Sequence, residues 1–146
     1  NTAPTSSVFS VGNDGGTNNN NGVYVAYCFK EKKGYSKFGK YIGNGSSDGT
    51  FVYTGFKPSW VIIKRTDTSD TWTVWDNKRV GYNSANYVIE ADNTNAEASS
   101  DRLDILSNGF KLGYNWTPIN SSGGTYIYMA FGQSLVGSNN VPCTAR

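Results

Sequence analysis

The apolar residues of this chain fall into runs too short for a helix, at residues 23–29, 51–56, 60–64, 72–75, 87–89, 103–106, 110–114 and 126–131. Most runs are bounded on at least one side by Gly, Asn, Ser or Asp. Runs of ~4–8 residues between such breakers read as strands, whereas a helix needs ~10–12 residues with apolar positions three and four apart. Turn formers abound: Asn 17, Gly 17, Ser 16 and Thr 13 of 146 residues, with aromatics at 14% and a single Met. Strong helix formers are scarce in such a mixture, and its β-branched and aromatic side chains suit a pleated surface. The eight runs show no regular alternation with helical patterns, which disfavours parallel βαβ pairing. The expected fold class is all-β, an antiparallel β-sandwich of jelly-roll or lectin-like type with about eight short strands, whose aromatics fill a core ~10 Å thick.

Phe51-Val52-Tyr53-Thr54 and Tyr126-Ile127-Tyr128-Met129-Ala130-Phe131 carry bulky side chains on both faces, which predicts central strands. Thr73 and Asp76 around Val74 and Trp75 predict a half-exposed strand. Asn108-Gly109 predicts a two-residue hairpin turn joining residues 103–107 to 110–114, because both residues tolerate positive φ. The one candidate helix is short, at residues 95–100.

Several function classes drop out early. With no His, Ser-His-Asp, Cys-His and His-ligated zinc chemistry are excluded. A net charge of +2 is far from a nucleic-acid footprint, so no nucleic-acid partner is expected. No run approaches the ~20 apolar residues of a membrane helix, and no membrane insertion is expected. Cys28 and Cys143 are too few for a disulfide framework and read as free thiols, Cys28 as a small buried side chain, with a single bridge between them as the alternative.

Residues Gly22-Val23-Tyr24-Val25-Ala26-Tyr27-Cys28-Phe29 reappear 102 positions later as Gly124-Thr125-Tyr126-Ile127-Tyr128-Met129-Ala130-Phe131. Ser10-Val11-Gly12 answers Ser107-Asn108-Gly109, at a spacing five residues longer in the second copy. Residues 1–36 therefore read as a partial repeat or amino-terminal strand segment, and residues 37–146 as the β-sandwich domain. A final strand cannot bury its apolar face alone. Val23 to Phe29 are thus an assembly strand, expected to pack on the main domain of the same chain, with completion of a neighbour's sheet as the alternative.

Tyr35-Ser36-Lys37-Phe38-Gly39, Gly43-Asn44-Gly45, the run from Asp48-Gly49-Thr50 through Lys57-Pro58-Ser59-Trp60 to Lys64, Trp75-Asp76-Asn77-Lys78-Arg79, Asp104-Ile105-Leu106-Ser107-Asn108-Gly109-Phe110-Lys111 and the 124–131 motif follow in order. Together they resemble a repeat domain of unknown function found in structural, tail-fibre-like and lectin-like proteins of marine tailed bacteriophages. The resemblance spans nearly the whole chain. It implies a virion-surface or extracellular module whose partners are copies of itself or other virion or fibre subunits. It brings no catalytic or binding residues.

For a host-surface glycan the candidate residues are Trp116, Trp72, Asp70 and Asn115, because an indole face stacks on a sugar ring and its N–H donates. Trp60 reads as core; Trp72 and Trp75, three apart, face opposite sides of a strand. Asp67, Asp70, Asp76, Glu90, Asp92, Glu97, Asp101 and Asp104 offer many carboxylate pairs but no recognisable glycosidase motif. Asp67, Asp70, Asp92 and Asn95 lack the spacing of an EF-hand, and no metal or cofactor is expected. Lys30, Lys32, Lys33, Lys37 and Lys40 around Tyr35 read as a solvated connector. The leading expectation is a non-enzymatic fibre module serving assembly and attachment, with a freestanding lectin-like domain and a small glycanase as rivals.

Overall fold

The computed structural model describes residues 2–79, 87–99 and 101–133. Cys143 lies outside them. The described residues form two one-turn helices and nine strands: α1 (Gly15–Asn18), β1 (Ser36–Ile42), β2 (Phe51–Tyr53), β3 (Pro58–Arg65), β4 (Trp72–Asp76), β5 (Tyr87–Glu90), β6 (Ala98–Ser99), β7 (Leu103–Leu106), β8 (Gly109–Leu112), α2 (Thr117–Asn120) and β9 (Thr125–Gly132). A six-stranded sheet in the order β1-β9-β3-β4-β5-β6 faces a three-stranded sheet in the order β2-β8-β7. All strand pairs are antiparallel. The fold is the all-β sandwich that the short runs predict.

Period-two alternation builds the core. Tyr126, Tyr128 and Ala130 of β9, Val61 and Ile63 of β3, and Trp75 of β4 turn inward and meet Val52, Leu103, Ile105, Phe110 and Leu112 of the smaller sheet. Phe110 bridges the layers, edge-on to Tyr41 at 6.4 Å and to Tyr128 at 5.4 Å. Ile119 of α2 plugs the core and is fully buried. Each such Leu, Ile or Phe gains ~1.5–3 kcal/mol on leaving water. The opposite face of the larger sheet carries an apolar row across five strands, Phe38, Met129, Ile62, Val74 and Ile89, set by the ladder register.

Several expectations need correction. β1 was not among the predicted runs, because Lys37, Gly39 and Lys40 interrupt its apolar pattern. β2 is an edge strand with Phe51 and Tyr53 exposed, whereas β9 is central as expected. The hairpin turn is one residue early: Leu106 pairs with Gly109, so the turn is Ser107-Asn108. Gly109 is required for close approach instead, since a Cβ there would lie 2.1 Å from the Val52 carbonyl oxygen. Within residues 95–100 there is strand β6 where a helix was expected, and the helical turns lie at α1 and α2. Trp60 is half-buried on the outward face, 5.7 Å from Phe131, and so outside the core between the sheets. Cys28 is exposed. Most consequentially, residues 23–29 form no strand: Phe29 alone of them has a ring contact with the larger sheet among the described residues, and Val23, Val25 and Tyr27 are 96, 77 and 82% exposed.

Candidate functional site

The arm that precedes β1 is the most unusual surface of the molecule. Residues 2–30 are exposed throughout and form no strand; they carry the single turn α1, a bend closed between Thr5 and Val8, and a turn in which Gly22 N–H donates to the Asn19 carbonyl. Asp14 caps that turn by accepting from the Gly16 N–H at 2.8 Å. The Tyr24 hydroxyl then folds back on it, accepting from Asn19 N–H at 2.8 Å and donating to the Gly15 carbonyl at 2.9 Å. At its far end the arm is anchored. Phe29 meets Phe131 at 5.5 Å and Phe38 at 6.4 Å on the outward face of the larger sheet. Lys32 to Ser36 close a tight loop through Ser36 Oγ, which donates to the Lys30 carbonyl and accepts from Lys32 N–H.

Two clefts flank this anchor. One of about 390 Å³ lies between Lys32, Lys33 and Lys37 and the Gly55-Phe56 turn. The other, about 740 Å³, separates Cys28, Phe29 and Lys30 from Tyr35 and Phe131. Glu31 partly offsets the basic charge by pairing with Lys37 at 3.6 Å and accepting from Phe38 N–H at 3.1 Å. The connector expected from the lysines is therefore a short anchored joint.

The four glycan candidates do not form one site. Trp72 is 37% exposed on the outward face, with Lys64 Nζ 6.0 Å from its ring and its backbone N–H donating to Asp92 Oδ1. Asp70 sits beside it; its carboxylate accepts from Thr71 N–H and its carbonyl from Lys64 Nζ. Trp116 instead packs against the core between the sheets, under the Arg102 guanidinium at 3.9 Å, with Asn115 exposed next to it. The larger sheet thus stands between Trp72 and Trp116. Trp75 is fully buried, as the three-residue spacing requires, and its Nε1 has no hydrogen-bond partner among the described residues.

Most of the candidate acids are engaged structurally. The Arg65 guanidinium bonds Asp67 at 2.6 Å and holds its carboxyl below the usual range. The Thr71 hydroxyl does the same for Asp92, which ties β4 to the turn after β5. Burial pushes Asp76 up, but bonds from Lys78 N–H and from Arg79 outweigh it and leave the carboxyl low. Arg79 reaches on to Glu97. Asp104 differs: burial, then the charge of Asp101, raise it. Among the described residues no three acids or thiols gather in a way that would hold a metal ion.

Sequence reading missed how far the internal likeness extends. At the constant offset of 102, Asn13 falls on Asn115 and Asn18 on Asn120, identities that were available in the sequence. Gly12 therefore corresponds to Tyr114, and the Gly12 to Gly109 correspondence is corrected.

A family described as a domain of unknown function, DUF7483, matches residues 1–134. No curated protein and no solved structure matches the chain.

Proposed function

We propose that this chain, which belongs to the DUF7483 family of domains of unknown function, is a non-enzymatic building module of a fibre on a virion surface or outside a cell, with the arm as the joint between modules. The observation that carries the reading is the exposed apolar row Val23, Val25 and Tyr27, which belongs to no sheet. An apolar side chain left in water forgoes ~1.5–3 kcal/mol. A contiguous row of them is therefore best understood as a contact surface. The short joint at Phe29 and Tyr35 supports a fibre, because adjoining modules would have little freedom to swing.

Support for a non-enzymatic role comes from the acids. Asp67, Asp76 and Asp92 are held ionised by fixed donors, whereas a glycosidase acid needs a raised carboxyl facing a second one across a sugar. A second reading, attachment to a host-surface glycan, is favoured by the outward indole of Trp72 beside Lys64 and Asp70.

Gold-labelled antibody raised against the folded chain tests the fibre reading. Label spaced along fibres on particles or on the cell exterior is expected; label confined to the cell interior would overturn it. Turnover of a polysaccharide that is lost in Asp104→Asn would make the chain an enzyme.

A further inference from the structure

The structure assigns the arm a partner: a second sandwich of this same fold that lacks its own helical turn and last strand, with residues 12–29 filling the slot that residues 114–131 fill here. The inference rests on the assembly reading above and names the surface on which the arm is used.

The likeness goes beyond sequence, because the two helical turns and the tyrosines that follow them make matching hydrogen bonds. Asn18 N–H donates to the Asp14 carbonyl at 2.8 Å, and Asn120 N–H to the Trp116 carbonyl at 2.8 Å. Asn18 Nδ2 donates to the Gly12 carbonyl, and Asn120 Nδ2 to the Tyr114 carbonyl. Tyr24 bonds Asn19 and Gly15; Tyr126 bonds Ser121 N–H at 2.8 Å and the Thr117 carbonyl at 2.8 Å. The left-handed residue after each helical turn also coincides, Asn21 at φ 60° and Gly123 at φ 73°. The next residue is glycine in both, where a Cβ would lie 2.7 Å from the Tyr24 ring or 2.8 Å from the Tyr126 hydroxyl.

What the arm lacks identifies what it fits. In the carboxy-terminal copy, Asn120 also bonds Asn44 and the Ser46 carbonyl, from the loop after β1. The Tyr126 ring stacks on Tyr41 of β1 at 5.0 Å, and β9 is laddered to β1 on one side and β3 on the other. The arm holds the same posture without counterparts of β1, its following loop or β3. The corresponding slot of its own chain is already filled by β9. A body of this fold without residues equivalent to 114–131 supplies all the absent partners at once.

The side chains suit that slot. The inward positions Tyr126, Tyr128 and Ala130 correspond to Tyr24, Ala26 and Cys28, and the outward Ile127, Met129 and Phe131 to Val25, Tyr27 and Phe29. Cys28, itself a small side chain, takes the place of the fully buried Ala130. The match ends at Phe29, since Lys30 falls on Gly132, where even a Cβ would lie 2.8 Å from the Phe56 ring.

A tandem chain tests this. Residues 30–113 are joined directly to residues 12–146, so that the arm follows the added body in the register with which β9 follows its own. Cys143→Ser leaves Cys28 as the single thiol, there and in the 146-residue chain used for comparison. Cys28 of the 146-residue chain is expected to react with a maleimide as an exposed thiol; in the tandem it should react about 100-fold more slowly or less, through opening of the added sandwich only. Cys28→Trp should unfold one sandwich of the tandem and leave the 146-residue chain unchanged. A reference tandem, residues 30–131 followed by residues 30–146, gives the unfolding signal of two complete sandwiches. Equal thiol rates in the two chains, or a tandem indifferent to Cys28→Trp, overturns the proposal. Antibody labelling plays no part in this readout, so the fibre reading and the arm's partner can fail separately.

Discussion

The rings of Tyr41 and Tyr126 lie stacked at 5.0 Å with their planes 13° apart, and both hydroxyls end on carbonyls of the same helical turn. Tyr41 donates to the Ile119 carbonyl at 2.7 Å, and Tyr126 to the Thr117 carbonyl at 2.8 Å. A turn of four residues has no hydrogen-bonded length with which to hold itself, so α2 stands on these tertiary bonds. Tyr41→Phe and Tyr126→Phe should each cost about 1–3 kcal/mol, since each leaves a carbonyl of α2 without its donor. Urea unfolding with an unchanged slope and a lower midpoint is the expected result. Because the two hydroxyls secure one element, the double variant should depart from additivity by about 0.5 kcal/mol or more.

The same pair sets the alkaline limit of the fold. Burial raises Tyr41 well above its ordinary value, with the nearby Tyr126 adding to it, and burial also raises Tyr126 and Tyr128. A folded-state pKa above the unfolded one means that the native chain keeps protons which the unfolded chain gives up. Stability is therefore complete below pH ~10 and falls as the pH rises from there toward the folded-state values. Thermal unfolding followed between pH 8 and 11.5 should fall along this limb, and Tyr41→Phe should flatten it. A limb of the same steepness in the variant would refute the assignment.

Asp76 sets a limit at the acid end. It accepts from Lys78 N–H, Arg79 N–H and Arg79 Nε, and Arg79 continues to Glu97 and to the carbonyls of Val74 and Tyr87. Burial works against its ionisation, but these donors outweigh it and hold its pKa down. Its contribution is therefore present above pH ~4 and lost as the pH falls through the lower folded-state value. Asp76→Asn should cost about 1.5–3 kcal/mol near neutrality, the range for bonds to charged groups. The loss should shrink toward pH 3, where the parent's own carboxylate is protonated; a deficit independent of pH would show that Asp76 acts by shape alone.

Much of the fold was legible because burial and period-two alternation coincide in β3, β4, β7 and β9, each of which presents a continuous apolar set to the core. β1 was not, because Gly39 lies beneath the Tyr128 ring, where a Cβ would be 2.9 Å from it, and Lys37 and Lys40 stand at its margins. Tertiary crowding selected those residues, and a pattern of hydrophobicity carries no record of crowding. The site was misplaced for a related reason. Trp116 lies in a polar stretch that reads as exposed, yet long-range packing draws its ring against the core beneath Arg102. The apolar alternation of residues 23–29 reads as a strand, yet they form none, because pairing depends on which slots are already filled, and that is a property of the assembled sheet.

Asn108-Gly109 separates a turn requirement from a packing requirement. Asn108 is exposed, its carbonyl accepts from Thr54 and Gly55, and its φ is not positive. Asn108→Ala keeps that carbonyl and should change stability by no more than about 0.5 kcal/mol. Gly109→Ala places a methyl 2.1 Å from the Val52 carbonyl oxygen and must push β2 away from β8. The expected cost is about 1–3 kcal/mol, as for other overpacked sites. Faster amide exchange at Val52 and Phe110 should accompany it. Equal effects from the two substitutions would restore the turn reading.

Trp72 and Trp116 give opposite expectations for the glycan reading. Trp116 is half-buried against the core with a guanidinium over its face, so Trp116→Ala should cost about 2 kcal/mol or more before any ligand is considered. Trp72 is exposed at the head of β4, and Trp72→Ala should cost less than about 1 kcal/mol. Trp72→Phe should also remove much of the acrylamide-quenchable fluorescence, because Trp75 is fully buried and Trp60 half-covered. If a sugar stacks on this protein through an indole available without unfolding, the ring is Trp72, and calorimetric binding should vanish in Trp72→Ala at unchanged melting temperature. Binding that survives Trp72→Ala and disappears in a fully folded Trp116→Ala would move the sugar to the opposite side of the larger sheet.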